Sequence, residues 1–334
     1  MFKQKHKAVT DKIQKMKEVK RSSARVYASN ISRIHREFLS KTEYNIDMKW
    51  LVKNSEKLVK KIKDVTNLNT QRNLLAASLV ALQLGHSEQK KRAPFIAQIA
   101  VLNKKQNEQA RTGTISESAQ KKFMSWKKIV QLRALLARTV RLGKFYTREK
   151  VTKAEFAALQ QNLILHLYTE LPPVRNTWSS VIFKSEAQFA DMPKAEQTTK
   201  NILVMKRGRF RVYWADYKTV KRHGIIQQVI PKRLQTLLKK HVKFLKRIYP
   251  ENENLLLTQT GKPLSSNALT HILQRLFYKH FRRKIGTSAL RSIFLTHTFD
   301  KKALEKQREI AHAMHHTTNV QRDFYVKEKP NGQS

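Results

Sequence analysis

Five residues of this 334-residue chain, far apart in sequence, have the types that could cleave a phosphodiester without a metal ion. In chain order they are Arg175, Lys218, Arg291, His316 and Tyr325, the last two nine residues apart. The arginines could hold a phosphate, because guanidinium groups donate bidentately and stay charged at any working pH. Tyr325 could attack, His316 could bond to a phosphate oxygen or move a proton, and Lys218 could protonate the leaving oxygen. The order and spacing of the set favour attack on a phosphodiester by a tyrosine.

The composition indicates a polyanionic partner. Sixty-eight Lys and Arg against 24 Asp and Glu give a net charge of +44, which opposes compaction unless a polyanion neutralises it. Charge alone does not separate a DNA enzyme from a ribosomal or packaging protein. No apolar stretch approaches the ~20 residues that span a bilayer, so no membrane partner is expected. The sequence does not indicate a localisation. The protein is expected only to be where its DNA substrate lies.

Covalent and metal chemistry are limited by residue type. The chain has no cysteine, which excludes disulfides, cysteine-ligated zinc and a cysteine nucleophile. His312 and His316 stand four residues apart with His315 beside them, a spacing that can bind zinc. The segment lacks the glutamate of an HExxH site and has no nearby third ligand. We therefore expect no metal and no cofactor.

The pattern of charge and apolar residues predicts four segments. Residues 1–21 contain eight Lys or Arg and are typical of a basic N-terminal arm. Residues 22–110 are expected to form a small helical DNA-binding domain, and residues 111–120, within a polar run that begins near 104, a linker. Residues 121–334 are expected to form the catalytic domain.

Helix signals dominate both predicted domains. In the first domain they predict a helix from Ala24 capped by Ser22 or Ser23, a weaker helix near 50–63, and a strong helix from Asn69-Thr70 to Gly85. In the second domain, helices flank a β-like stretch at 201–230, whose two halves are joined by a turn that contains Lys218 and Gly224. The fold class expected is mainly α with a small antiparallel β-sheet in the C-terminal domain.

The five residues and their surrounding motifs resemble the tyrosine recombinase (phage-integrase-like) superfamily. LPPVR supplies Arg175, YKT supplies Lys218, SALR supplies Arg291, IAHAMHH supplies His316 and QRDFY supplies Tyr325. The motif forms look most like integrases of large eukaryotic DNA viruses and related mobile elements. The resemblance covers about 120–326, and the helical region before it is similar in pattern only.

Two positions depart from the family pattern. Ser288 stands where the family usually has a histidine, and Trp178 stands where it often has an acidic residue, three places after the first arginine. A serine hydroxyl can donate to a phosphate but cannot carry charge. Ser288, Lys221 and His315 are candidates for auxiliary roles.

The resemblance implies a site-specific recombinase (integrase) with a helical core-binding domain and an α+β catalytic domain. It implies a 3′-phosphotyrosine intermediate, double-stranded DNA as partner and a homo-tetramer on two DNA sites, without metal or ATP. The alternatives are a catalytically degenerate DNA-binding relative and a type IB topoisomerase-like nicking-closing enzyme. Contacts to the phosphate backbone of DNA are expected from basic residues in both domains: Arg25, Arg33, Arg72 and Arg222.

Overall fold

A computed structural model describes residues 2–38, 52–112, 117–315 and 318 of the chain. It divides into two compact units, Met1–Ile115 and Ser116–Ser334.

The first unit is helical throughout its described residues. Its helices are α1 Phe2–Lys17, α2 Arg21–Arg33 with a following π turn at Ile34–Phe38, α3 Ser55–Lys63, α4 Leu68–Leu84 and α5 Gln89–Thr112. Each amphipathic helix buries its apolar face in a shared core, as burial of apolar area favours. The largest side chains fully buried there include Ile13, Ile31, Ile34, Leu58, Ile62 and Phe95.

Three details of the first unit correct the sequence predictions. The predicted arm at 1–21 is largely the helix α1, which packs against α2 and buries Ile13 completely. Helix α2 begins at Arg21, before the serines predicted to cap it, and its N-cap Lys20 makes no side-chain cap bond. Helix α5 continues to Thr112 through the polar run predicted as a linker.

Contacts with α4 explain why that polar run is helical. Gln106 donates to Asn69 at 3.0 Å and accepts from Arg72 at 3.0 Å. Because these bonds tie the end of α5 to the start of α4, the run is held as a helix without an apolar stripe. A short helix, α6 Glu117–Gln120, covers the second half of the predicted linker, and the boundary between the units lies between these two helices.

The second unit surrounds a small sheet with helices. Its longer helices are α7 Trp126–Leu142, α8 Lys153–Leu167, α12 Lys232–Ile248, α13 Ser266–Phe281, α14 Thr287–Thr298 and α15 Lys301–Ala313. Short helical elements are a 3-10 turn at Asn176–Ser180, α9 Glu186–Ala190, α10 Lys194–Gln197 and α11 Val220–His223. The expectation of a mainly helical protein with one small sheet is confirmed.

The sheet is mixed, which corrects the prediction of a purely antiparallel one. Its four strands, in spatial order, are β1 Val181–Ser185, β2 Asn201–Lys206, β3 Arg209–Trp214 and β4 Ile226–Val229. The β2–β3 and β3–β4 pairs are antiparallel as predicted, whereas β1 pairs with β2 in parallel. A parallel neighbour needs a connection of about a dozen residues or more, and α9 and α10 provide it.

Tryptophans lie at the centre of the second core. Trp178 is 1% exposed and meets Trp214 edge-to-face, with ring centroids 4.8 Å apart. This contact fixes the 3-10 turn against β3. Among the described residues, no helix has the length and apolarity needed to cross a membrane.

Candidate active site

The 3-10 turn at Asn176–Ser180 links the elements that carry three predicted catalytic residues. Arg175 is the residue immediately before this turn, at its N-cap position. Helix α8 ends at Leu167, and two prolines separate it from Arg175. The helix has already ended when the chain reaches Pro172 and Pro173, and because proline restricts the backbone these residues fix the direction of the segment that leads to the exposed Arg175.

A buried tyrosine holds the backbone of Arg175. Tyr168 is fully buried, and its hydroxyl donates to the backbone carbonyl of Arg175 at 2.6 Å. Burial raises the pKa of Tyr168, and the positive charge of Arg291 partly opposes that rise. The phenol therefore stays protonated and keeps donating to this carbonyl.

Asn176 supplies a second link between the same elements. Its Nδ2 donates to Thr270 Oγ1 of α13 at 3.0 Å, and its Oδ1 accepts from Thr287 Oγ1 at 2.6 Å. Thr287 is the first residue of α14, which carries Arg291 in its second turn. The amide next to Arg175 thus holds the start of the helix that positions Arg291.

Packing fixes the direction of α14. Leu290 and Ile293 are buried on either side of Arg291. On the same helix, Phe294 meets Trp126 edge-to-face at 5.3 Å between ring centroids. Arg291 is itself half-buried, so it lies at the edge of the core with its helix anchored on both sides.

The other end of the 3-10 turn is joined to the loop that carries Lys218. Asn201, fully buried at the start of β2, donates from Nδ2 to Ser180 Oγ at 2.9 Å and to the Asp216 carbonyl at 2.8 Å. Its Oδ1 accepts from the backbone amides of Ala215 and Asp216 at 3.0 and 2.9 Å. Four hydrogen bonds therefore satisfy the amide and hold the chain as it leaves β3.

Lys218 lies in the β3–β4 connection, as predicted. It is exposed, two residues after Asp216 and two before α11. Tyr217 closes the loop by donating to the Gly224 carbonyl at 2.6 Å. Gly224 has a φ of +68° and a ψ of −165°, a conformation essentially restricted to glycine.

Three cationic residues are carried by elements that are joined to one short turn. Arg175 and Lys218 are exposed and Arg291 is half-buried. The hydrogen bonds described above hold the backbones of these elements. Because cationic donors held in place stabilise charge that develops on phosphate oxygens, a shared phosphate site stays the prediction for these three residues.

The other predicted catalytic residues have different outcomes. His316 and Tyr325 lie outside the described residues, so their roles stay predictions. Ser288 is exposed in the first turn of α14 and Lys221 is exposed in α11. His315 is exposed just after α15, with a φ of +59° and its amide bonded to the His312 carbonyl at 3.0 Å.

The residues predicted to bind the DNA backbone are not equivalent. Arg25 and Arg222 are exposed on α2 and α11. Arg33 pairs with Glu37 at 2.6 Å, and Arg72 already donates to Gln106. The last two have partners within the chain, which makes them weaker candidates for phosphate contacts. Over the described ranges, no group of three His, Asp or Glu residues could hold a metal ion.

Sequence reasoning missed the residues that position the site. These residues are Tyr168, which bonds to Arg175 seven residues on, and Asn176, Asn201 and Thr287, whose partners are 14 to 111 residues away. The sequence offered two signals for them: Asn176 directly follows Arg175, and Asn201 stands at the first position of a β-like run.

No family model matches this chain, and no curated protein matches it. A crystal structure of XerH site-specific recombinase bound to difH substrate, a pre-cleavage complex, is 13% identical with a TM-score of 0.44. A post-cleavage complex of XerH on palindromic difH is 12% identical with the same TM-score. Each similarity covers 95% of this chain and 80% of the other. At that TM-score the structural overlap is loose.

Proposed function

We propose that this chain is a site-specific DNA recombinase, an integrase, that cuts and rejoins DNA through a 3′-phosphotyrosine intermediate. The observation that carries the proposal is the hydrogen-bonded framework around Asn176–Ser180. It joins the elements bearing Arg175, Lys218 and Arg291, three residues selected from the sequence for one reaction.

In the proposed reaction, the Tyr325 oxygen attacks a DNA phosphorus while Arg175 and Arg291 hold the non-bridging oxygens. The bond from phosphorus to the 5′ oxygen breaks, and Lys218 protonates that oxygen as it leaves. A 5′ hydroxyl of a second strand then attacks the phosphotyrosine and releases Tyr325. His316 bonds to the phosphate or moves the nucleophile's proton. Because the phosphotyrosine retains the bond energy, neither ATP nor a metal takes part.

The partner proposed is double-stranded DNA, bound by a homo-tetramer on two sites. The net charge of +44 supports it, because neutralising many phosphates releases counterions and gives strong, salt-dependent affinity. Binding should therefore weaken steeply as salt rises. An origin in a large eukaryotic DNA virus or mobile element belongs to the same proposal and follows from the motif forms alone.

The test is covalent capture. The full chain is incubated with a pool of nicked duplexes of randomised sequence, whose cleavage releases a short fragment and prevents religation. Adducts that survive detergent are sequenced, and mass spectrometry locates the nucleotide on the tryptic peptide 323–327. We expect the phosphate on Tyr325 and no adduct from Tyr325→Phe.

The matched control is Tyr278→Phe, since Tyr278 is 45% exposed and lies outside the proposed site. It should form the adduct as the parent does. Arg175→Ala and Arg291→Ala should each lower adduct formation by about 100-fold, the usual effect of removing one donor to developing charge. An equal adduct yield from Tyr325→Phe would overturn the assignment of the nucleophile.

A second candidate is a DNA-binding relative without strand transfer. It is favoured by Ser288, an exposed and uncharged side chain where the family has histidine. Salt-sensitive DNA binding with no adduct from the parent chain would decide for it. Relaxation of supercoiled plasmid without a defined site would instead favour a nicking-closing enzyme of the type IB topoisomerase kind.

A further inference from the structure

An enclosed ion pair joins α7 to the segment that follows α8. Arg133 of α7 donates to the carboxylate of Glu170, and the two side chains are only 19% and 14% exposed. Glu170 comes after the end of α8 and precedes Arg175 by five residues. Removing one charge from an enclosed pair leaves the other uncompensated, so this contact constrains the segment between α8 and Arg175.

The guanidinium group of Arg133 holds a second residue of the same segment. Its Nη1 also donates to Thr169 Oγ1 at 3.2 Å, and the Thr169 hydroxyl donates to the Leu165 carbonyl at 2.7 Å. The backbone amide of Glu170 donates to the His166 carbonyl at 2.8 Å. Both residues are thereby tied to the last turn of α8 and to α7. One side chain of α7 therefore fixes the point at which the chain leaves α8.

The residues between this anchor and Arg175 are also held. Leu171 is 5% exposed, and the two prolines that follow it restrict the backbone. Tyr168, just before the anchor, donates to the Arg175 carbonyl at 2.6 Å. Because the segment is held at both of its ends, a displacement of Glu170 should displace the backbone of Arg175.

Helix α7 also contacts the helix that carries Arg291. Trp126, the first residue of α7, meets Phe294 edge-to-face at 5.3 Å and stacks on His297 at 6.1 Å between ring centroids. Phe294 stands three residues after Arg291 on α14. Through its ion pair, the same α7 holds the segment that leads to Arg175. One helix therefore contacts both elements that carry the predicted catalytic arginines.

We propose that Arg133 is a positioning residue for Arg175. Its ion pair with Glu170 sets the backbone of Arg175, and α7 keeps that backbone in a fixed relation to α14. Arg133 does not bind the phosphate itself, because its charge is already paired within the chain. The inference rests on the proposed function, since the placement of Arg175 affects cleavage only if its guanidinium holds the phosphate.

The test is a double-mutant cycle on the full chain. Arg133→Gln is made in the parent and in Arg175→Ala, and single-turnover adduct formation is measured at saturating concentrations of the captured duplex, at a temperature at which circular dichroism shows each variant folded. In the parent, adduct formation should slow by about tenfold to 100-fold, because small displacements of a catalytic group are costly. In Arg175→Ala it should slow by less than about twofold, because the group being positioned is already absent.

Two further variants separate positioning from a general loss of stability. Arg148→Gln is the matched control, since Arg148 pairs with Glu155 in the first turn of α8, at the opposite end of that helix, and its adduct formation should stay within about twofold of the parent. Arg133→Lys keeps the charge beside Glu170 and should recover part of the rate that Arg133→Gln loses. If Arg133→Gln does not fold, Arg133→Lys replaces it in the cycle.

Amide hydrogen exchange gives a readout that does not depend on cleavage. The amides of the 3-10 turn Asn176–Ser180 should exchange about tenfold faster in Arg133→Gln, for the loss of one charged hydrogen bond, and at the parent's rate in Arg148→Gln. The dissociation constant for DNA should change by less than about twofold in Arg133→Gln, because a paired, enclosed guanidinium makes no phosphate contact.

Equal slowing of adduct formation in the parent and in Arg175→Ala would overturn this inference, and so would unchanged exchange at the 3-10 turn. A parent chain that forms no adduct would instead overturn the proposed function. In that case, faster exchange at the turn in Arg133→Gln would still support the structural link from Arg133 to Arg175.

Discussion

Replacing Asn201 by alanine should destabilise the second unit and impair strand cleavage. The side chain is fully buried and makes four hydrogen bonds, two from backbone amides and two to Ser180 and the Asp216 carbonyl. The variant leaves the amides of Ala215 and Asp216 without that acceptor. Ala215 is buried and Asp216 is exposed. At about 1–3 kcal/mol for an unsatisfied buried group, with a smaller loss at Asp216, the free energy of unfolding should fall by about 3 kcal/mol.

Denaturant unfolding followed by tryptophan fluorescence measures this loss, because three of the four tryptophans, Trp126, Trp178 and Trp214, belong to the second unit and only Trp50 belongs to the first. Asn201→Asp should lose at least as much, since its carboxylate still accepts from both amides but is fully buried and faces the Asp216 carbonyl oxygen without a proton to donate. Asn267→Ala, an exposed asparagine on α13, is the control and should unfold within about 0.5 kcal/mol of the parent.

The same variant tests the link from Asn201 to Lys218. Under conditions where Asn201→Ala remains folded, the rate of covalent adduct formation should fall by about tenfold to 100-fold, because small displacements of a catalytic group are costly. An unfolding free energy within 0.5 kcal/mol of the parent (a margin of about the usual surface effect) would refute the packing argument. A normal cleavage rate in a destabilised variant would refute only the positioning of Lys218.

Burial lowers the pKa of His241 to about 4 from an ordinary value of 6.5. The stability that neutral His241 contributes is therefore present above pH 6.5 and is lost as the pH falls towards 4. At 1.36 kcal/mol for each tenfold change in proton affinity, the free energy of unfolding should differ by about 3 kcal/mol between pH 7 and pH 4. In His241→Gln, only the smaller pH dependence due to other groups should remain. Gly224→Ala should slow cleavage by distorting the loop of Lys218. Gly208 has a similar φ of +74° in the β2–β3 turn. Gly208→Ala should therefore lower the free energy of unfolding by a comparable amount, about 1–3 kcal/mol, without lowering the cleavage rate. Thr287→Val removes the 2.6 Å bond to Asn176 and should lower the unfolding free energy by about 1 kcal/mol and also weaken cleavage; unchanged cleavage would show that this bond does not position Arg291.

Elements with a strong apolar period could be predicted from the sequence. Helices α7, α8 and α12 to α15 lie where their spacing indicates, and the loop carrying Lys218 lies between two antiparallel strands. The parallel strand β1 was missed because its five residues give little periodicity and its partner lies beyond a crossover.

The candidate site residues could be predicted from their types and motifs, whereas the hydrogen bonds that hold the elements carrying them could not. Arg175, Lys218 and Arg291 stand in recognisable motifs, but Asn176 and Asn201 matter only through partners 14 to 111 residues away. Hydrogen bonds of this kind depend on tertiary neighbours. A polar residue beside a strand or turn is, in sequence, indistinguishable from an exposed one.

The placement of Trp178 limits what its position can accept. Its indole fills the interior against Trp214, so an acidic side chain there would leave a large void and bring an uncompensated carboxylate into it. A carboxylate three residues after Arg175 therefore requires compensating changes in the residues that surround the indole.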